Sequence, residues 1–217
     1  MSAASKVHRR KAISSPWASE KPKREELRLE KREAVLRAAA ACFCTEGLEA
    51  TTMDDVAAML GVRKPTVYRL FRDKTALIDA CRERSANLFL AALEEARAKG
   101  GTAADRLRRY FTADLHLMLE NDFGRMQAGQ AGADMYSRAS REFVRLREKV
   151  QDGVREIIRE GMANGEFKPS LDPKLTALAL ASTFNLVALW FDPRGPYRLD
   201  DIAEKYFDLF FNGIRGR

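Results

Sequence analysis

Apolar residues recur every three to four positions along most of this chain, and apolar–polar alternation is never sustained. That period belongs to helices that bury one face. Val35, Leu36, Ala39 and Phe43 mark the first stripe, in a helix expected from Glu25 to the turn at Gly47. Thr52 then precedes Met53, Asp54 and Asp55, a cap followed by acids that favour the positive end of a helix. Val56, Ala57 and Leu60 supply its inner face, and Gly61 ends it. A third, short helix is predicted from about Lys64, with Pro65 suited to its first turn and Val67, Leu70 and Phe71 as its apolar residues.

The break at Asp73-Lys74-Thr75 leads into a long helix, about Thr75 to Lys99, closed by Gly100 and Gly101. Five more helical patterns follow, at about Ala103–Glu120, Gly124–Tyr136, Arg138–Asn164, Pro173–Phe191 and Leu199–Ile214. The predicted class is all-α. A three-helix unit over residues 25–80 precedes a larger helical domain over 81–217. Residues 52–71 have the size and turn of a helix pair that sets one helix in the major groove of DNA.

Charge refines this picture. The formal net charge of the 217 residues is +7. Most of it lies in residues 1–24, where Lys6, Arg9, Arg10, Lys11, Lys21, Lys23 and Arg24 face only Glu20. Residues 25–80 are slightly acidic, so the basic pI says little about the folded unit itself. Residues 1–24 read as a flexible basic arm. Arg138, Arg141, Arg145, Arg147, Lys149, Arg155 and Arg159 alternate with acids at helical spacing, which reads as a salt-bridged exposed face.

Enzymatic readings find no support. No nucleophile triad, phosphate loop or metal-ligand cluster stands out, and His8 and His116 are the only histidines. No cofactor or metal is expected. Cys42, Cys44 and Cys81 form no disulfide framework, which fits a reducing cytoplasm. The N-terminus lacks the apolar core of a secretory signal. The apolar run from Leu175 to Phe191 is broken by Thr176, Ser182, Thr183 and Asn185 and reads as a buried helix, not a membrane span.

At Arg32 to Leu77 the chain resembles the DNA-binding domain of TetR-family transcriptional repressors. The resemblance rests on Phe43, Gly47, Thr52, Gly61-Val62, Thr66, Tyr68, Phe71, Lys74 and Leu77. It covers roughly the first third of the chain; beyond it, only length and helix pattern agree. Arg63 stands where the family often caps the recognition helix with Ser or Thr. Pro65 replaces a frequent Gly, and Leu70 a frequent His.

The resemblance implies a cytoplasmic regulator that binds double-stranded DNA and answers a small effector. It implies phosphate contacts from Tyr68 and Lys74, with backbone donors at Thr52. Arg63, Lys64, Thr66 and Arg69, around Pro65, are the expected groove-facing residues. One short recognition helix reads too few base pairs, so a homodimer on a palindrome is expected, through the helices near 173–191 and 199–214.

The effector would sit between residues 83 and 190. Candidate lining residues are Phe89, Leu93, His116, Phe123, Met126, Gln130, Tyr136, Phe143, Phe184, Asn185 and Trp190. Each also reads singly as plain core, and His116 as solvated. Gly124, Gly129 and Gly132 weaken the helix they share, which makes it a candidate moving part facing the DNA-binding unit. The competing reading is a ligand-independent activator or nucleoid-type DNA binder.

Deleting residues 1–24 is expected to weaken DNA binding and to flatten its salt dependence without unfolding the protein. Each lost phosphate contact removes a slope of roughly 0.9 in log K against log salt. Binding isotherms over a salt series check this; equal slopes would make the arm a solvated tail.

Overall fold

The computed structural model of the chain describes residues 20–128 and 139–214. Every regular element among them is a helix. Helices α1 (Glu20–Glu46), α2 (Met53–Met59), α3 (Lys64–Tyr68) and the start of α4 (Lys74–Ala98) form the N-terminal unit. The rest of α4 joins α5 (Ala103–Glu120), α6 (Asp122–Ala128), α7 (Arg141–Ala163), α8 (Pro173–Trp190) and α9 (Leu199–Ile214) in the second domain. Helix α1 starts five residues ahead of the expected Glu25, within the stretch read as an arm. The remainder of that arm, and the expected helix beyond Ala128, lie outside the described residues.

Side-chain caps start several of these helices, with the expected Thr52 among them. The Thr52 hydroxyl accepts from the Asp55 N–H, and the Asp55 carboxylate accepts from the Thr52 N–H, closing a capping box on α2. Thr102 and Asp105 do the same for α5. Asp73, Ser140 and Asp172 cap α4, α7 and α8. At Gly61, φ is +63°; the Val62 and Gly61 N–H groups donate back to the Ala57 and Ala58 carbonyls. That turn sets the entry to α3, and glycine suits its positive φ.

The N-terminal core gathers Val35, Ala39 and Phe43 of α1, Val56 of α2, Val67 of α3 and Leu77 of α4. Val67 is fully buried and is the single buried residue of α3. Phe71, just after α3, is buried too, and the Arg32 guanidinium lies 4.3 Å over its ring. Helix α3 is therefore held by a few side chains, which leaves its other faces open.

The second core centres on Phe111, stacked on Phe184 at 5.0 Å and near Phe207 at 6.2 Å. Glycines let helices close on it. A methyl group at Gly161 would strike the Phe167 ring, and one at Gly153 would come 2.6 Å from Leu93. The last helix turns most of its apolar face inward: Ile202, Ala203 and Phe207 are buried, while Leu209 is 74% exposed. By contrast α8 keeps Leu175, Leu178, Leu186, Leu189 and Trp190 on the outside.

Helix α6 joins the two cores. Its Phe123 and Met126 bury among the N-terminal core residues rather than in the second domain. The Cys44 thiol of α1 donates to the Asp122 carbonyl at the start of α6, 3.2 Å away. Behind it, Gly124 packs on the backbone of α5, where a β-carbon would overlap the Leu117 carbonyl. Gly124→Ala is expected to destabilise the protein by ~1–3 kcal/mol, the usual cost of overpacking. Urea unfolding measures it; an unaltered midpoint would mean that α6 has room to shift.

Candidate DNA-binding surface and effector cavity

The exposed side of α2 and α3 carries the residues expected at DNA. Thr52, Arg63, Lys64, Pro65, Tyr68 and Arg69 are exposed, and Thr66 and Lys74 are half-buried. Arg63 occupies the cap position of α3 and makes no side-chain capping bond. Neither Arg63 nor Arg69 has an ion-pair partner among the described residues, so both guanidinium groups are free for a groove.

The lysines are placed differently. The Lys64 ammonium lies 2.8 Å from the Asp54 carboxylate and 5.7 Å from the Tyr68 ring centre. Its hydrogen bond to Asp54 holds its pKa above the ordinary lysine value. The Lys74 ammonium donates to the Glu49 carbonyl at 2.8 Å, fastening the α1–α2 connection. The Thr52 N–H is likewise taken by Asp55, so this helix start presents a carboxylate beside its donors.

Two cavities meet at a buried carboxylate in the second domain. The smaller, about 70 Å³, lies between α5, α7 and α8 and has Tyr110, Val150, Ala177 and Arg155 among its walls. The larger, about 320 Å³, is bounded by Phe89, Met118, Gly124, Gln127, Leu186 and Leu189 among others. Asp114, Arg147 and Asn185 border both. The Tyr110 hydroxyl donates to Asp114 at 3.2 Å. Burial pushes the Asp114 carboxyl up to about 6, against the opposing pull of Arg147 and of the Tyr110 hydroxyl.

Of the expected effector residues, Phe89 and Asn185 border the larger cavity. Leu93 and Phe184 are core, and Phe143 packs with Ala86 and Leu146 in a small cluster of its own. Phe123 and Met126 leave the domain altogether for the N-terminal core. Trp190 is half exposed, its ring 6.5 Å from that of Tyr206. Gln130 and Tyr136 lie outside the described residues. His116 is half-buried and lines neither of these two cavities. Its two ring nitrogens meet Glu120 at 2.8 Å and Asp200 at 2.9 Å, tying α5 to the start of α9. Burial disfavours the charged ring, but the bonds to Glu120 and Asp200 outweigh it, and the pKa is raised.

Sequence reasoning missed Asp114, Arg147 and Tyr110. A signal existed: Leu107, Tyr110, Phe111, Asp114, Leu115 and Met118 share one helical stripe, and Asp114 is its one acid. Arg147 lies between Phe143 and Val150 on the buried stripe of α7, not on the exposed charged face expected of it. Arg155 also turns to a cavity wall, its guanidinium 3.0 Å from Asp152.

Residues 35–81 match the model for bacterial regulatory proteins of the tetR family, and residues 100–214 match the tetracyclin repressor-like C-terminal domain. The chain belongs to the TetR family. It is a DNA-binding transcriptional regulator, and proteins of this family are not enzymes. It is 25% identical over 186 residues to the transcriptional repressor KstR2 of Mycolicibacterium smegmatis, spanning 85% of this chain and 90% of that protein. The crystal structure of the regulator PfmR from Thermus thermophilus superposes with a TM-score of 0.69 at 27% identity, covering 82% and 97% of the two chains. AibR, solved with isovaleryl coenzyme A and operator DNA, shares the fold at a TM-score of 0.72 and 19% identity, with 83% and 98% covered. Among the described residues no helix is long and apolar enough to cross a membrane.

The Asp114 carboxyl sets a pH dependence. Its folded pKa lies above the unfolded value near 4, so the fold binds this proton more tightly than the unfolded chain. The stability it contributes is present below about pH 4 and is lost as pH rises through about 6. The change is about two pH units, on the order of 3 kcal/mol. Asp114→Asn should remove this loss. Denaturant unfolding of both proteins across that range checks it; parallel curves would place Asp114 in a wetter site.

Proposed function

We propose that the chain acts as a cytoplasmic homodimer that binds a palindromic operator through α3 of each copy. A small effector, held in the cavities around Asp114, releases it, so that it works as a repressor. The observation that carries this reading is the position of α6. Its Gly124 and Gln127 border the larger cavity, while its Phe123 and Met126 are buried in the DNA-binding core. An effector that moves α6 must therefore disturb the unit that carries α3. A ligand needs only a few kcal/mol of preference for one arrangement to shift the balance between them.

On DNA, Arg63 and Arg69 are the base readers, because each is exposed and without an ion-pair partner among the described residues. Tyr68, 41% exposed, reaches a phosphate with its hydroxyl. Lys64 reads the groove only after leaving Asp54, which weakens its share.

Sequencing the genomic fragments retained by the purified protein tests the assignment and yields the operator; a palindromic consensus is expected, and fragments without one would overturn specific binding. On that operator Arg69→Ala should relax sequence preference, since a good base contact is worth ~1–3 kcal/mol. Tyr68→Phe should weaken binding about equally across sequences. Competition with single-base operator variants separates the two, and unchanged discrimination by the Arg69 variant would move that residue to the backbone. A thermal-shift screen of metabolites against the full chain tests effector binding independently.

A further inference from the structure

Helix α6 brings one polar side chain to the larger cavity. Gln127 borders it together with Gly124, and no other residue of α6 does among those described. Gln127 is 9% exposed, and its amide nitrogen Nε2 is buried with no hydrogen-bond partner among the described residues. Buried donors are almost always paired, because their bonds to water are lost and must be replaced. Leu or Met would fill the same space without that cost. The position therefore carries a donor that the chain itself leaves unanswered.

The surroundings narrow what could answer it. Asp114 and Arg147 border the same cavity, one charge of each sign. A charged ligand would find no surplus counter-charge between them. Phe89, Met118, Leu186 and Leu189 make much of the remaining wall apolar. What this cavity lacks is a neutral hydrogen-bond acceptor on an apolar body.

We infer that the effector is an uncharged, mainly apolar molecule whose carbonyl oxygen accepts from Gln127, and that this bond is the grip by which it displaces α6. The inference rests on the effector reading above and adds the ligand's chemistry and the residue that senses it. Gln127 follows Met126 directly and lies one helical turn from Phe123, both buried in the N-terminal core. A bond that draws the Gln127 amide toward the cavity loads the same seven-residue helix that holds those two side chains. Movement the other way is blocked at Gly124, which already lies against the α5 backbone. A hydrocarbon of the same shape fills the cavity without taking this grip. It has no preference between the two arrangements of α6 and so shifts nothing.

Four probes that share a phenyl ring and a four-carbon chain test the chemistry: butyrophenone, butylbenzene, phenylbutyrate and phenylbutylamine. Calorimetric titration of the full chain should find butyrophenone about tenfold tighter than butylbenzene, the worth of one hydrogen bond, and tighter than either charged probe. Gln127→Met, alike in size but without the donor, should bind butyrophenone and butylbenzene equally. Its urea midpoint should be no lower than that of the unsubstituted chain, since an unpaired donor is removed; a lower midpoint would make Gln127 a structural residue and overturn the inference. Butyrophenone should also release the operator fragments that the protein retains, with each protein read against its own ligand-free binding. At equal occupancy, release should be about tenfold weaker in Gln127→Met. Equal binding of butyrophenone and butylbenzene by the unsubstituted chain, or a preference that survives in Gln127→Met, overturns the contact. Tightest binding by a charged probe overturns the uncharged ligand. Equal release from both proteins at equal occupancy overturns the grip on α6. Binding of none of the four overturns the effector cavity itself, and the inference with it.

Discussion

Phe123 and Met126 belong by sequence to the second domain and by packing to the first. Burying two such side chains contributes about 1.5–3 kcal/mol each, and they are the principal apolar link from α6 to the DNA-binding unit. The Cys44 thiol adds a weaker hold at Asp122. In the proposed mechanism, an occupied cavity acts on α3 through this joint or along α4, which runs through both domains. Gly124 sharpens the constraint. Because α6 sits directly on the backbone of α5, displacement toward α5 is blocked, and movement is directed along or away from it.

The buried Asp114 has a related logic. An ionised carboxylate in an apolar interior is costly unless paired. Here Arg147 and Tyr110 compensate only in part, since the pKa still rises to about 6. The fold thus keeps an unfavourable charge at the meeting point of two cavities. Such a group gains most from a ligand that supplies a hydrogen-bond donor or displaces water around it. His116 is the opposite case: flanked by Glu120 and Asp200, it is an inter-helix clasp whose partners are already in place.

Helix boundaries and the recognition unit were largely legible because they are written locally. Thr52, Gly61 and Pro65 act within a few residues of themselves, and the caps and turns they specify are the ones observed. The second domain was less legible, because its site is made from long-range choices. Periodicity shows that Arg147 shares a stripe with Val150, but its charged neighbours Arg145, Glu148 and Lys149 point outward and mask it. Phe123 and Met126 look like any core pair until α6 is seen between two cores. The apolar character of α9 overstated its outward face, since Ile202 and Phe207 are used by its own core.

For α8 the sequence is apolar almost all round, and composition alone cannot separate the inner face from the outer. Burial does so: Ala177, Leu180, Phe184 and Val187 point inward, and Leu175, Leu178, Ser182, Asn185, Leu186 and Leu189 point outward. The inner set varies in size, as a core shaped by several different helices requires.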